Sequence, residues 1–238
     1  MKKSSYTVVG HRGFPQQYPE NSLIGLVAAA EAGAHAVELD VQISQDNIAM
    51  VFHDDTLDRV SGEKGYIWDY TAEQLHTISC HEPQRFNQQY HSTPISTLEE
   101  VSKALANYSV KVFVEIKEQS MHRLGREDFL DRVIDAIAAI KQQATIISFD
   151  FEILHLAQQR GFPIGWVLTK MDNESLQKAQ NLQPEVLAYD VKKLNSKSEL
   201  WRGPWQWFLY DIVKPDTAQY WFDKGVEYIE TWDVQALL

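Results

Sequence analysis

Apolar, β-branched runs recur along this chain at fairly regular intervals, and that recurrence limits its fold more than any other feature. They are YTVVG (6–10), AVELDV (36–41), VFVEIK (112–117), TIISF (145–149), IGWVL (164–168), VLAYD (186–190), WFLYD (207–211) and VEYIET (226–231). Most are separated by segments of helical period. NSLIGLVAAAEAG places Leu23, Leu26, Val27 and Ala30 on one face, with a start signal at Asn21 and a stop at Gly33. REDFLDRVIDAIAAIKQQ repeats the pattern through Phe129, Val133, Ile134, Ile137 and Ile140. PDTAQYWFDKG is bounded by Pro215 and Asp216 at one end and Gly225 at the other. Strands alternating with helices imply parallel strands joined by crossovers. Eight such units fit a closed (β/α)8 TIM barrel, which 238 residues can accommodate as one domain. An open doubly wound sheet is the alternative, but its Gly-rich phosphate loop after the first strand is missing.

One further strand, IAMVFHD (48–54), follows ELDVQ after only ISQDN, too short a link for a parallel crossover. The two strands should form a hairpin. A turn at Asp46-Asn47 places His53 opposite Asp40, and a shift of one residue moves it toward 38 or 39. Residues from 54 to about 95 are then an insertion after the second barrel strand, not a separate domain.

The chemistry gathers at strand ends. Residues i and i+2 of a strand share a face, so Glu38 points with Asp40, and Glu115 with Lys117. If all four project inward at the carboxyl ends of their strands, three carboxylates converge. Two unit charges about 4 Å apart repel by about 4 kcal/mol at an effective dielectric near 20. Such a cluster calls for a cation, and oxygen-only ligands suit Mg2+ or Ca2+ better than zinc. Ordinary salt bridges, Glu115 with Lys117 and Glu38 with Arg12, are the structural alternative. His11-Arg12-Gly13 ends the first strand: Arg12 offers a bidentate fork for phosphate oxygens, Gly13 a sharp turn, and His11 a group that titrates near neutrality. His53 ends the hairpin strand. Two histidines, an arginine, a lysine and three carboxylates together compose a metal-assisted phosphodiesterase site.

Composition narrows the partners. A net charge of −11 argues against nucleic acid, and 44% hydrophobic residues describe an ordinary globular core. The single cysteine, Cys80, excludes an intrachain disulfide and lacks the basic neighbours of a nucleophile. No stretch approaches the roughly 18 apolar residues of a membrane span, and MKKSSYTVVGHRG lacks the apolar run of a signal peptide, so a cytoplasmic location is the default expectation. The remaining histidines (35, 76, 81, 91, 122 and 155) read as surface or structural.

These pieces resemble the glycerophosphodiester phosphodiesterase family. GHRG (10–13), PENS (19–22), GAHAVELDVQISQD (33–46), VFHDDTLDRVSG (51–62) and FVEIK (113–117) carry the resemblance, and PISTLEEV (94–101), IISFD (146–150) and GVEYIET (225–231) extend it over nearly the whole chain. It implies a barrel that hydrolyses glycerophosphodiesters, such as glycerophosphocholine or glycerophosphoethanolamine, to glycerol 3-phosphate and an alcohol, with a place in lipid and glycerol metabolism. It implies Glu38, Asp40 and Glu115 as ligands of a divalent metal, His11 and His53 as the acid–base pair, and Arg12 and Lys117 at phosphate-contacting positions. The glycerol hydroxyl is the implied internal nucleophile, through a cyclic phosphate. Ser22 stands where the family usually has Thr, Asp211 where many members have Asn, and Trp232 where Asp is common. Those departures bear on leaving-group preference. Trp166, Trp207 and Trp232 either line the mouth, stacking on a choline-like cation, or pack the core. A related phosphodiesterase acting on lysophospholipids, and a non-catalytic barrel that binds a phosphate ligand, are the competing readings.

Overall fold

In the computed structural model, residues 6–238 are described; Lys2 and Lys3, weighed above for a targeting segment, lie outside them. The apolar runs become strands β1 (Thr7–Gly10), β2 (Ala36–Ile43), β3 (Ala49–Val51), β4 (Lys111–Ile116), β5 (Ala144–Ser148), β6 (Ile164–Val167), β7 (Val186–Asp190), β8 (Gln206–Tyr210) and β9 (Val226–Thr231). Their order is β1-β9-β8-β7-β6-β5-β4-β2-β3, and β1 also pairs with β2. All pairings but β2–β3 are parallel, so the eight strands other than β3 close into a barrel. Each of the eight corresponds to one of the runs read from the sequence.

Alternation within the strands divides the core in two. Inward-facing Val9, Ala36, Phe113, Ile147, Val167, Val186, Ala188, Phe208 and Tyr228 fill the barrel, with Phe113 edge-on to both Phe208 and Tyr228 at 5.0 and 5.1 Å. Outward residues such as Val8, Val37, Leu39, Val112, Val114 and Ile146 pack against the helices. This double burial is why parallel strands read as continuous apolar runs. A charge that interrupts such a run at its inward positions therefore stands out.

Local signals set the helix ends. The first helix (Leu23–Ala32) is capped by Ser22, whose hydroxyl accepts from the Gly25 amide, and ends at Gly33 with φ 99°. The start signal read at Asn21 is thus displaced by one residue, because Asn21 takes a left-handed conformation and turns its side chain toward β2. Thr97, Asp150 and Asp172 cap Leu98–Leu105, Phe151–Gln159 and Asn173–Leu182 in the same way as Ser22.

β3 is the predicted hairpin strand. Its register pairs Val41 with Val51 and Ile43 with Ala49, and the Phe52 amide donates to the Asp40 carbonyl. Phe52, not His53, therefore stands across from Asp40, one residue away from the pairing expected for a turn at Asp46-Asn47. Ser44 decides the difference: its amide donates to Ile48 O while its hydroxyl bonds Asp46 and the Ile48 amide, making a longer turn. Between β3 and β4 the chain forms short helices around a separate apolar cluster of Met50, Phe52, Leu57, Val60, Ile67, Leu75, Cys80 and Ile95. Cys80 is buried there, and that burial pushes its thiol up to about 12, in keeping with an inert side chain.

Candidate functional site

A pocket opens at the carboxyl ends of the barrel strands. His11, Arg12, Glu38, Asp40, His53, Glu115 and Lys117, all singled out by sequence, line it. Asp211, Tyr210, Glu230 and Trp232 join them from the last strands, and Ile147, Phe149, Val167, Ala188 and Phe208 form an apolar wall.

The β2–β4 register sets the carboxylates side by side. Asp40 pairs with Glu115 across the two strands, and one oxygen from each of Glu38, Asp40 and Glu115 lies within 4.8 Å of the others. Lys117 Nζ sits between Glu115 (2.8 Å) and Asp40 (3.3 Å). Burial works against charge on Asp40, yet Lys117, Arg12 and His53, with a hydrogen bond from Asn21, hold its carboxyl well below the usual range. Glu38 goes the other way: burial, then the nearby Asp40, Glu230 and Glu115, push it well above. Its Oε2 accepts from the Arg12 amide at 2.9 Å, and its Oε1 is buried with no hydrogen-bond partner.

Arg12 is tethered. Its Nη1 donates to Glu20 at 2.8 Å and its Nε lies 3.2 Å from Asp40, while the contact with Glu38 comes from its backbone and not its guanidinium. The left-handed φ of 55° at Arg12 and 94° at Gly13 folds the loop back so that this amide can face β2. A Cβ on Gly13 would meet Gly25 and Leu26 backbone atoms at 2.7–2.8 Å, so only glycine fits.

The two histidines differ. His53 is about a third exposed, and its Nδ1 lies 2.6 Å from Asp54 Oδ1. His11 is more enclosed, edge-on to Trp232, with Nδ1 3.7 Å from Asp211 and 3.8 Å from Glu230. Burial, then the Arg12 charge, lowers its pKa to about 3, so the ring is neutral at pH 7.

Several residues in this arrangement were not read as site residues from the sequence. Arg59 bridges Asp54 (2.7 and 2.9 Å) and Glu20 (2.7 and 2.6 Å), which in turn holds Arg12. Asn21 donates to Asp40 Oδ2 at 2.8 Å and accepts from the Asp40 amide at 3.1 Å. Glu82 accepts from the Glu20 amide at 2.6 Å. Glu20 and Asn21 lie within PENS and Arg59 within VFHDDTLDRVSG, so the motifs contained them, but no local pattern connects Arg59 with Glu20. Glu230 could have been found by strand alternation, since it shares the inward face with Tyr228. Of the three tryptophans considered for the mouth, only Trp232 is there; Trp166 and Trp207 point outward into the core beneath the helices.

Known proteins share this fold. Among solved structures, a phosphodiesterase of Oleispira antarctica in complex with the product sn-glycerol-3-phosphate superposes with a TM-score of 0.84 at 20% identity, over 97% of this chain and 94% of that one. A glycerophosphodiester phosphodiesterase of Thermotoga maritima gives 0.75 at 24% identity, over 98% and 97%. Among curated sequences, a glycerophosphodiester phosphodiesterase of Caldanaerobacter subterraneus is 32% identical over 53% of this chain and 51% of its own length. Glycerophosphodiester phosphodiesterase 1 of Bos taurus is 28% identical over 64% and 45%. The chain thus spans about half the length of these curated relatives. Residues 11–204, from the first pocket histidine to beyond β7, match the sequence model of the glycerophosphoryl diester phosphodiesterase family, and the chain belongs to that family.

Proposed function

We propose that this chain, a single barrel domain with its excursion at about 54–95, hydrolyses glycerophosphodiesters to glycerol 3-phosphate and an alcohol in a metal-dependent reaction. The observation that carries this reading is the convergence of Glu38, Asp40 and Glu115 with two histidines and Lys117 in one pocket. The triad fits a hard divalent ion such as Mg2+ or Ca2+: its donors are all oxygen, and Glu38 Oε1 is buried with no other partner. Such an ion supplies a positive charge that polarises the phosphoryl group.

The remaining work falls to side chains. Lys117, held between Glu115 and Asp40, presents a fixed positive charge to a phosphate oxygen. Arg12 contributes field and shape to the same floor. His11, neutral at pH 7, accepts the proton of the attacking oxygen as the new O–P bond forms. His53 delivers a proton to the departing alcohol oxygen as the old O–P bond breaks. Asp54 orients the His53 ring through Nδ1 and leaves Nε2 to the pocket. The solved complex of the Oleispira antarctica relative with sn-glycerol-3-phosphate supports the choice of product.

The apolar wall of Ile147, Phe149, Val167 and Phe208 favours a second reading, in which the glycerol that stays on the phosphate carries an apolar acyl chain, as in a lysophospholipid, and the head-group alcohol departs. A substrate panel distinguishes them: glycerophosphocholine, glycerophosphoethanolamine and lysophosphatidylcholine, scored for glycerol 3-phosphate and for choline, with Mg2+, with Ca2+ and in EDTA. Release of glycerol 3-phosphate from the first two, stopped by EDTA and restored by metal, is expected. Absence of hydrolysis across the panel with either ion would overturn the proposal.

A further inference from the structure

Beside the carboxylate triad, on its β1 side, lies a second convergence of donors. His11 at the end of β1, Glu38 on β2 and Glu230 on β9 come from three adjacent strands, and one ligand atom from each lies within 4.8 Å of the others. Glu230 is 3% exposed, and its ion-pair contact is His11 Nδ1 at 3.8 Å. Glu38 Oε1 and His11 Nδ1 are buried without hydrogen-bond partners. Neighbouring cations are engaged elsewhere: Arg12 with Glu20 and Asp40, Lys117 with Glu115 and Asp40, Lys192 with Asp211. An ionised carboxylate buried in this way is costly unless it is paired or coordinates a metal.

We propose that His11, Glu38 and Glu230 form a second cation site, sharing Glu38 with the triad, that takes a borderline ion of the Zn2+ class. The donor chemistry selects the ion. One imidazole nitrogen with two carboxylate oxygens suits Zn2+ and its neighbours, whereas the all-oxygen triad suits Mg2+ or Ca2+. A carboxylate between two such positions can bridge them, as in two-metal sites. Occupation inhibits, because a coordinated imidazole nitrogen no longer has a lone pair for a proton. The inhibition rests on the acid–base role proposed above for His11; the binding does not.

The test is calorimetric titration of Zn2+ into the full chain under saturating Mg2+, with Co2+ absorption as a spectroscopic probe under the same conditions. Wild type should take up one equivalent of Zn2+ and develop visible Co2+ bands. Glu230→Gln should weaken that uptake by about 100-fold and raise the Zn2+ concentration that halves turnover by a similar factor. Glu230→Leu, lacking any donor, should do the same, and a melting curve for each variant establishes that it is folded. No Zn2+ uptake by wild type under Mg2+, or equal uptake by both folded variants, would overturn the site. Glycerol 3-phosphate release without Zn2+ binding removes this inference alone. Zn2+ binding without hydrolysis of any substrate removes the phosphodiesterase reading and leaves the site standing.

Discussion

Arg59 shows how a single residue organises this pocket from outside it. It joins Asp54, which faces His53, to Glu20, which holds Arg12, so one series of paired groups runs from His53 through Asp54, Arg59, Glu20, Arg12, Asp40 and Lys117 to Glu115. The two ends of that series are the groups assigned to proton transfer and metal binding. Replacing either histidine with alanine should lower kcat on the order of 100- to 10,000-fold while leaving the circular-dichroism melt nearly unchanged. Near wild-type kcat in His11→Ala or His53→Ala would remove that residue from the acid–base pair. The same series makes stability sensitive to acid. Burial opposes charge on Glu20 and Asp54, but Arg12, Arg59 and His53 hold both carboxyls below their ordinary values of 4.5 and 3.8. The folded state therefore binds these protons less readily than the unfolded chain. Their contribution is complete above the ordinary values and is lost as pH falls below them. Arg59→Ala should flatten the decline of the melting temperature in this acid range, and an unaltered slope would show that the pairs contribute nothing to it.

At the scale of elements, the site depends on two loops that allow little variation. The turn from β1 into the first helix needs left-handed conformations at Arg12, Gly13 and Asn21, and the Gly13 position also needs the absence of a Cβ. Gly13→Ala combines a clash with backbone, which cannot rotate away, and an unfavourable φ of 94°. It should lower unfolding stability by about 2 kcal/mol or more, read as a shift in the urea midpoint. A midpoint equal to wild type would mean that the loop relaxes freely. The hairpin is similarly constrained, since Asn47 at φ 62° closes it and the β2–β3 register then brings His53 to the carboxylates. A slip of one residue would turn every side chain of β3 to the opposite face.

At the scale of the whole molecule, closure of the barrel by β1–β2 and β1–β9 pairing encloses the carboxylates on a ring of strands. Five carboxyl groups line the pocket, Glu38, Asp40, Glu115, Glu230 and, just past β8, Asp211, against Arg12 and Lys117. An ion that binds the folded chain and not the unfolded one stabilises the fold by mass action, so a bound divalent ion should raise its stability. At an ion concentration 100-fold above Kd the gain is about 2.7 kcal/mol, or a rise of about 5–10 °C in Tm for a chain of this size. Thermal melts in EDTA, Mg2+ and Ca2+ measure this directly, and identical curves would remove the cation from the triad. No helix among the described residues is long and apolar enough to cross a membrane. The excursion between β3 and β4 is tied to the mouth through Glu82, which accepts from the Glu20 amide and pairs with Arg85. It therefore supports the Arg12 loop as well as carrying Arg59.

The sequence by itself determined the class of fold and the chemistry-bearing strand ends. Both are written in local period: apolar runs broken at i and i+2 by Glu38 and Asp40, and by Glu115 and Lys117, have one buried face on which charge can gather. The ELDVQ–IAMVFHD link likewise identified β3 as a hairpin strand, because link length alone excludes a parallel crossover. The tertiary structure decided what is not local. The turn at Ser44 chose the register that puts Phe52 opposite Asp40, through hydrogen bonds that no residue count supplies. The facing of strands sent Trp166 and Trp207 outward and left Trp232 at the pocket. Arg59 meets Glu20, and Glu230 meets His11, across separations that only barrel closure and the packing of the excursion bring within reach. Charges of opposite sign far apart in a chain carry no mark of their future partner, since Coulombic attraction is decided by final distance and burial and not by position in the sequence.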